Sequence, residues 1–124
     1  MTVGYRSSNK TLYSAKYHLI WCPKYRRRVL TGRVETRLKQ IIAQVVDEAG
    51  GQVIELEVVP DHVHLFVELP ATLALSRLLQ SLEGRSSRVL RPELPALRRA
   101  RAVWSASWLF SSVGGAPLEV ARAA

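Results

Sequence analysis

Cysteine is nearly absent from this 124-residue chain. Cys22 stands alone, which excludes an internal disulfide framework and suits a reducing cytoplasm. Long apolar runs are missing too: none approaches the ~20 residues needed to span a bilayer, so no membrane partner is expected. The opening stretch MTVGYRSSNK has no hydrophobic segment of the kind a secretory signal carries, and a cytoplasmic protein is the expectation. There is no internal repeat, no low-complexity linker and no like-charge run longer than Arg26 to Arg28. Disorder is therefore not expected. Acidic residues are scarce in the first 39 positions, where Glu35 is alone, and tyrosine is confined to Tyr5, Tyr13, Tyr17 and Tyr25.

What is present is basic charge, unevenly placed. Eighteen Lys and Arg oppose ten Asp and Glu, a formal net charge of +8. Residues 1–39 and 85–124 are strongly basic, while residues 40–84 hold Arg77 alone against seven acids. A solubility surface would mix the signs; two basic blocks around an acidic middle suggest a positive face assembled by folding. Arginine dominates the cations, and its planar fork suits phosphate oxygens. Nucleic acid is the first partner to consider. The length fits one domain able to bury about two thirds of its unfolded surface.

Residues 12–22, LYSAKYHLIWC, read as a strand rich in aromatic and β-branched types, stopped by Pro23 and followed by the basic loop Lys24–Arg28. From Val34 to Ala49 apolar residues recur at helical spacing, and Gly50-Gly51 supplies the left-handed end of a helix. Gln52–Val59 and His62–Leu69 predict two strands joined so tightly that they must form an antiparallel hairpin. Thr72 is a candidate cap for a second helix with Leu75, Leu78, Leu79, Leu82 and Val89 as its buried stripe, ending before Pro92. A basic loop with Arg98, Arg99 and Arg101 leads to a last strand, Val103–Val113, with Trp104, Trp108 and Phe110 on one face. Gly114 and Gly115 turn the chain, and Pro117 sits at the first turn of a further helix that would begin within residues 114–124. The expected class is α+β: a ferredoxin-like split β-α-β-β-α-β with a four-stranded antiparallel sheet and helices on one face, plus the start of a C-terminal helix, all in one domain spanning 1–124.

His62-Val63-His64 is the strongest chemical signal. On a strand, residues i and i+2 share a face about 7 Å apart, so two imidazoles can converge on one divalent cation. Val63, Leu65, Val67 and Leu69 form the apolar face, which turns the histidines away from the core. Two ligands fall short of a closed structural zinc site. The loop Lys24, Tyr25, Arg26, Arg27, Arg28 interleaves an aromatic with cations, a pattern used on single strands. In the second helix Arg85 and Arg88 lie on one face with Ser86 and Ser87 between them, a set suited to phosphate oxygens. Trp104, Trp108 and Phe110 read as core.

These pieces together resemble a family. Tyr17-His18-Leu19-Ile20-Trp21-Cys22-Pro23-Lys24-Tyr25-Arg26 resembles the opening of the single-tyrosine HUH transposases of small bacterial insertion sequences, whose relatives include the REP-associated tyrosine transposases. Val59-Pro60-Asp61-His62-Val63-His64-Leu65 is similar to their HUH strand, Gly84-Arg85-Ser86-Ser87-Arg88 to their second-helix motif, and Trp104-Ser105 through Ser112-Val113-Gly114 to their last strand. The resemblance implies a homodimer that binds hairpins of single-stranded DNA at the ends of the element. It implies Mg²⁺ or Mn²⁺ on His62 and His64, with Lys24, Tyr25, Arg26, Arg27, Arg28, Arg85, Ser86 and Arg88 as DNA contacts. It also implies a tyrosine nucleophile that forms a 5′-phosphotyrosine. That tyrosine is expected at or near position 124, which is Ala124, and the glutamine one turn further on is missing. Glu83 is acidic where the family usually carries a basic residue. The expectation is a chain that keeps its metal and DNA sites and is deficient in cleavage, as in a decayed, frameshifted or truncated copy.

Two other readings have a place. One is a non-catalytic nucleic-acid module or regulator on the same fold; RNA-recognition folds share the topology, but no K/R-G-F/Y-G/A-F-V-x-F/Y stretch is present. The other is a metal-dependent hydrolase, for which the only carboxylates near the histidines in sequence are Asp61 and Glu68.

Overall fold

The computed structural model describes residues 14–95, 98, 102–112 and 119–122. The elements are β1 (Ser14–Trp21), a 3-10 turn (Lys24–Arg26), α1 (Gly32–Glu48), β2 (Gln52–Val59), β3 (His62–Pro70), α2 (Leu75–Glu93), β4 (Ser107–Ser112) and β5 (Glu119–Arg122). They form one antiparallel sheet in the order β2-β3-β1-β4-β5. The split β-α-β-β-α-β arrangement expected from the sequence is therefore present. β1 and β3 hold its centre, each paired on both sides.

The alternation in β3 shows why the layers form. Val63, Leu65, Val67 and Leu69 are buried, and the residues between them are only partly covered. Facing them are Leu38, Ile41, Ile42, Val45 and Val46 of α1 and Leu78, Leu79, Leu82 and Leu90 of α2, in one continuous core. Both helices thus cover one face of the sheet. The other face, with His18 of β1 and His62, His64, Phe66 and Glu68 of β3, carries no helix among the described residues.

α1 ends as its glycines require. Gly50 has φ +80, and the Gly51 and Gly50 N–H groups donate to the carbonyls of Val46 (2.9 Å) and Asp47 (3.0 Å), a complete Schellman closure. A Cβ on Gly51 would lie 2.7 Å from the backbone oxygen of Glu68 and 2.7 Å from Leu69 Cδ2. Glu68 belongs to a central strand and cannot retreat cheaply. Gly51→Ala should therefore destabilise the fold by about 1–3 kcal/mol, as overpacking does, read as a lower urea midpoint; an unchanged midpoint would show that β3 gives way freely.

Four expectations are corrected. Residues 119–122 are a strand paired with β4 (Phe110 opposite Glu119, Ser107 opposite Arg122) where the start of a helix was expected. Pairing satisfies the outer backbone groups of β4, whereas a helix of about two turns is marginal by itself. α2 begins at Leu75 behind Ala74, and Thr72 makes no cap; residues 70–73 form a turn instead, closed by Leu73 N–H on the Pro70 carbonyl (3.0 Å). Pro92 lies inside the last turn of α2. β4 starts at Ser107, and Trp104 lies outside it in an isolated bridge to Pro23. Tyr5, Tyr13, Arg99, Arg101, the Gly114-Gly115 turn, Pro117 and Ala124 lie outside the described residues.

Candidate functional site at the end of the open sheet face

Antiparallel pairing brings the end of β1, the start of β3 and the basic loop to one edge of the sheet. His64 is opposite Ile20 on β1 and Glu57 on β2; His62 is opposite Val59. The Leu30 N–H donates to the Pro60 carbonyl (3.0 Å), which pins the loop after β1 against the turn before β3.

The two motif histidines have different partners. His62 Nδ1 lies 3.0 Å from Asp61 Oδ1, and Arg26 Nη2 donates to Asp61 Oδ2 at 3.3 Å. The hydrogen bond to His62 holds the Asp61 carboxyl below its usual range, and the charges of Arg26, His62 and Arg28 act the same way against the cost of burial. An ionised carboxylate only accepts, so His62 Nδ1 carries the proton and, in the neutral ring, Nε2 keeps its lone pair. Carboxylates fix metal-binding histidines in this way. The His62 side chain remains 39% exposed, open to a ligand.

His64 Nε2 instead meets His18 Nδ1 at 3.2 Å. His18 sits opposite Phe66 in the ladder, and its ring stacks on Phe66 (centroids 4.3 Å apart, planes 5° apart) and on His64 (5.3 Å, 21°). Sequence spacing did not single out His18, because its partner is 46 residues away; its place on the polar face of the first strand was the available signal. Beyond it, Ser14 Oγ donates to Glu68 Oε2 at 2.7 Å, so Glu68 is turned toward β1. Among the described residues no set of three or more His, Cys, Asp or Glu side chains is gathered to hold a metal ion. The donor chemistry of His62 and His64 nonetheless fits a divalent cation: one imidazole has its tautomer fixed by a carboxylate, and both stand on a rigid central strand.

The basic loop is shaped by its backbone. Tyr25 and Arg26 have φ of 63 and 53, left-handed values that cost a non-glycine residue about 1–3 kcal/mol and persist only when clamped. The clamp is the segment before β4: Lys24 N–H donates to the Val103 carbonyl and Ser105 N–H to the Cys22 carbonyl, each at 2.9 Å. This turn projects Tyr25, 76% exposed, with Lys24 Nζ 5.6 Å and Arg27 Cζ 5.5 Å from its ring centre. Of this loop, Arg26 reaches Asp61, and the charge of Arg28 acts on the same carboxyl.

The helix motif is elsewhere. α2 packs on the opposite face of the sheet from the histidines. Arg85 forms a two-pronged pair with Glu48 of α1 (2.9 and 2.7 Å), which lowers the Glu48 pKa and raises that of Arg85. Arg88 is exposed. Ser86 is not a surface residue at all, which corrects the sequence expectation of a DNA contact there. It is 3% exposed, its hydroxyl donates to the Leu82 carbonyl, and its oxygen accepts from Trp104 Nε1 at 2.7 Å. The serine satisfies a buried indole, and the short side chain lets the tryptophan in. Burial raises the pKa of neighbouring Glu83.

Comparison with known proteins places this arrangement. Residues 11–123 match the family described as "Transposase IS200 like". The chain is 37% identical over 105 residues to the ISDra2 transposase TnpA of Deinococcus radiodurans, covering 82% of this chain and 75% of that protein. It is 28% identical over 112 residues to the transposase for insertion sequence element IS200 of Salmonella typhimurium, covering 88% and 74%. Among solved structures, a protein from Deinococcus radiodurans described as a transposase superposes with a TM-score of 0.75 at 31% identity, over 82% of this chain and 81% of that one. A REP-associated tyrosine transposase bound to a REP hairpin shares the fold, with a TM-score of 0.64 at 14% identity over 84% and 59%. With a family match across nearly its whole length and a relative above a third identical, the chain belongs to the IS200-like transposase family.

Proposed function

We propose that this chain binds hairpins of single-stranded DNA at the ends of a mobile element, acts in the cytoplasm as a homodimer, and holds one Mg²⁺ or Mn²⁺ ion on His62 and His64. The observation that carries the reading is the Arg26–Asp61–His62 chain of contacts, which joins the basic loop to the histidine pair. A phosphate drawn to that loop arrives beside the imidazoles. A cation held there supplies Lewis-acid polarisation of a scissile phosphate. Asp61 keeps the proton on His62 Nδ1 and so presents Nε2. Lys24, Arg26, Arg27 and Arg28 offer charge-assisted contacts to the backbone, and Tyr25 offers a ring on which an unpaired base can stack. Arg88, and Arg85 once a phosphate displaces Glu48, extend the contact onto the helical layer.

The covalent step of such a reaction needs a tyrosine. The four in this sequence precede α1, and Tyr17 is packed against the core. Binding without cleavage is the behaviour we infer for residues 1–124. A non-catalytic nucleic-acid module is the second reading, favoured by that same distribution.

One gel tests the reading. Labelled single-stranded hairpin DNA from the element's end is mixed with the protein in Mn²⁺ or in EDTA, with duplex DNA and RNA as competitors. The expected result is a native shift that the hairpin competes best, and no adduct that survives denaturation. Preference for duplex or RNA overturns the reading; a metal-dependent covalent adduct overturns the loss of cleavage. Light scattering of the same sample reads the dimer. In the same assay Tyr25→Ala should weaken hairpin binding about 5- to 100-fold, since stacking one base on an aromatic contributes about 1–3 kcal/mol. Unchanged affinity would show that the ring faces no base.

A further inference from the structure

The chain has three histidines, and the one outside the motif ends against it. In the ladder His18 stands opposite Phe66, so it meets His64 from the side away from His62. Its Nδ1 lies 3.2 Å from His64 Nε2, an ordinary hydrogen bond. β1 is paired on both sides, and the His18 ring stacks almost coplanar on Phe66 at 4.3 Å, so this partner of His64 is itself held in place. One proton lies between the two nitrogens, and which ring owns it decides what His64 can do. A neutral imidazole has one N–H and one lone pair. If His18 donates, His64 accepts at Nε2 and carries its own proton on Nδ1, which leaves no lone pair for a cation. If His64 donates, its proton is on Nε2 and Nδ1 keeps a lone pair. Only the second arrangement serves a metal ligand, and metal-binding histidines ordinarily give their other N–H to such an acceptor.

We propose that His18 is a positioning residue: its Nδ1 accepts from His64 Nε2, which sets the tautomer and the ring of His64 and leaves His64 Nδ1 for the cation. The inference rests on the metal reading above and deepens it. His18 does not touch the ion. The two motif histidines then offer different nitrogens, His62 its Nε2 with Asp61 behind it and His64 its Nδ1 with His18 behind it. Each tautomer is fixed by a neighbour outside the motif, one from the turn before β3 and one from the adjoining strand.

The test uses the full 124-residue chain, first free of metal and then with Mn²⁺. In isotope-labelled protein in mildly alkaline buffer, where the rings are neutral, long-range proton–nitrogen correlation spectra read which ring nitrogen of His64 carries the proton. Mn²⁺ affinity is read from the electron paramagnetic resonance signal of the free ion. Two variants separate proton acceptance from packing. His18→Asn places an amide oxygen near the position of Nδ1 and loses the ring; His18→Phe keeps the ring and its stack on Phe66 and loses the acceptor. The expected result is a His64 proton on Nε2 in the unaltered chain and in His18→Asn, and mixed tautomers in His18→Phe. Mn²⁺ affinity should be about tenfold or more lower in His18→Phe, with His18→Asn closer to the unaltered chain. A His64 proton on Nδ1 in the unaltered, metal-free chain overturns the inference, and bound Mn²⁺ in that sample leaves the metal reading standing. Affinity kept by His18→Phe and lost by His18→Asn also overturns it, because packing would then be what His18 supplies. No bound Mn²⁺ at all overturns both. Should neither variant fold, judged by thermal melting, the His64 tautomer of the unaltered chain decides alone.

Discussion

His64→Ala should lower Mn²⁺ affinity by about 100-fold or more while leaving the folded state nearly untouched. The loss of an outer partner of a metal-binding histidine already costs about 10- to 100-fold, and His64 is a proposed ligand itself, on the central ladder with the His18 nitrogen 3.2 Å from its Nε2. Its removal takes away the donor and the partner of His18 Nδ1, while the His18 ring keeps its stack on Phe66. Stability should change by less than about 1 kcal/mol, because the side chain is on the face that the helices do not cover and fills no core position. Asp61→Asn makes the informative comparison. An amide beside His62 Nδ1 no longer demands a proton there, so the tautomer is released and affinity should fall by the smaller, about tenfold, outer-partner amount. Titration of Mn²⁺ with both variants, with thermal melts of each, reads the contrast. Equal losses for the two would place the cation elsewhere.

Trp104→Ala is the largest stability effect expected. The side chain is 2% exposed, packs edge-on to Trp21 (6.2 Å, 77°), and Trp21 in turn stacks on Trp108 (4.3 Å, 9°). Removing a buried tryptophan costs about 3–5 kcal/mol in transfer and cavity terms, a large part of the roughly 5–15 kcal/mol available to a domain. The melting temperature should fall on the order of 10–20 °C. Function should suffer through the same substitution, since the residues on either side of Trp104 are the clamp on the Lys24–Arg28 loop: Val103 accepts from Lys24 and Ser105 donates to Cys22. With the clamp loosened, Tyr25 and Arg26 can leave their left-handed conformations, and hairpin affinity should drop in protein that is still folded below its lowered melting point. Ser86→Ala separates the polar part. It leaves the Trp104 N–H buried without its acceptor, at a cost of about 1–3 kcal/mol. Paired with Trp104→Phe in a double-mutant cycle, it isolates the coupling of the hydrogen bond. Additive costs would show that the bond of 2.7 Å contributes nothing beyond packing.

Local pattern carried much of this protein. The alternation through His62–Leu69 determined which side of β3 meets the helices and therefore that both histidines look the other way. The helical spacing from Val34 to Ala49 with Gly50 behind it determined α1 and its end, and the tight Pro60-Asp61 connection determined the hairpin. These features follow from periodicities of one chain segment and from the dihedral freedom of one residue, so they need no knowledge of the rest of the molecule. What depended on distant partners was decided only by the tertiary structure. Ser86 and Arg85 are adjacent in a helix motif, yet one faces Trp104 in the interior and the other reaches Glu48 across the helix pair; helical spacing orders directions around an axis but does not say what stands in each direction. Residues 119–122 became a strand because β4 offered an open edge, a fact about another segment. His18 reached His64 because strands 46 residues apart pair in one particular register, and a shift of one residue would have sent it to the other face of the sheet.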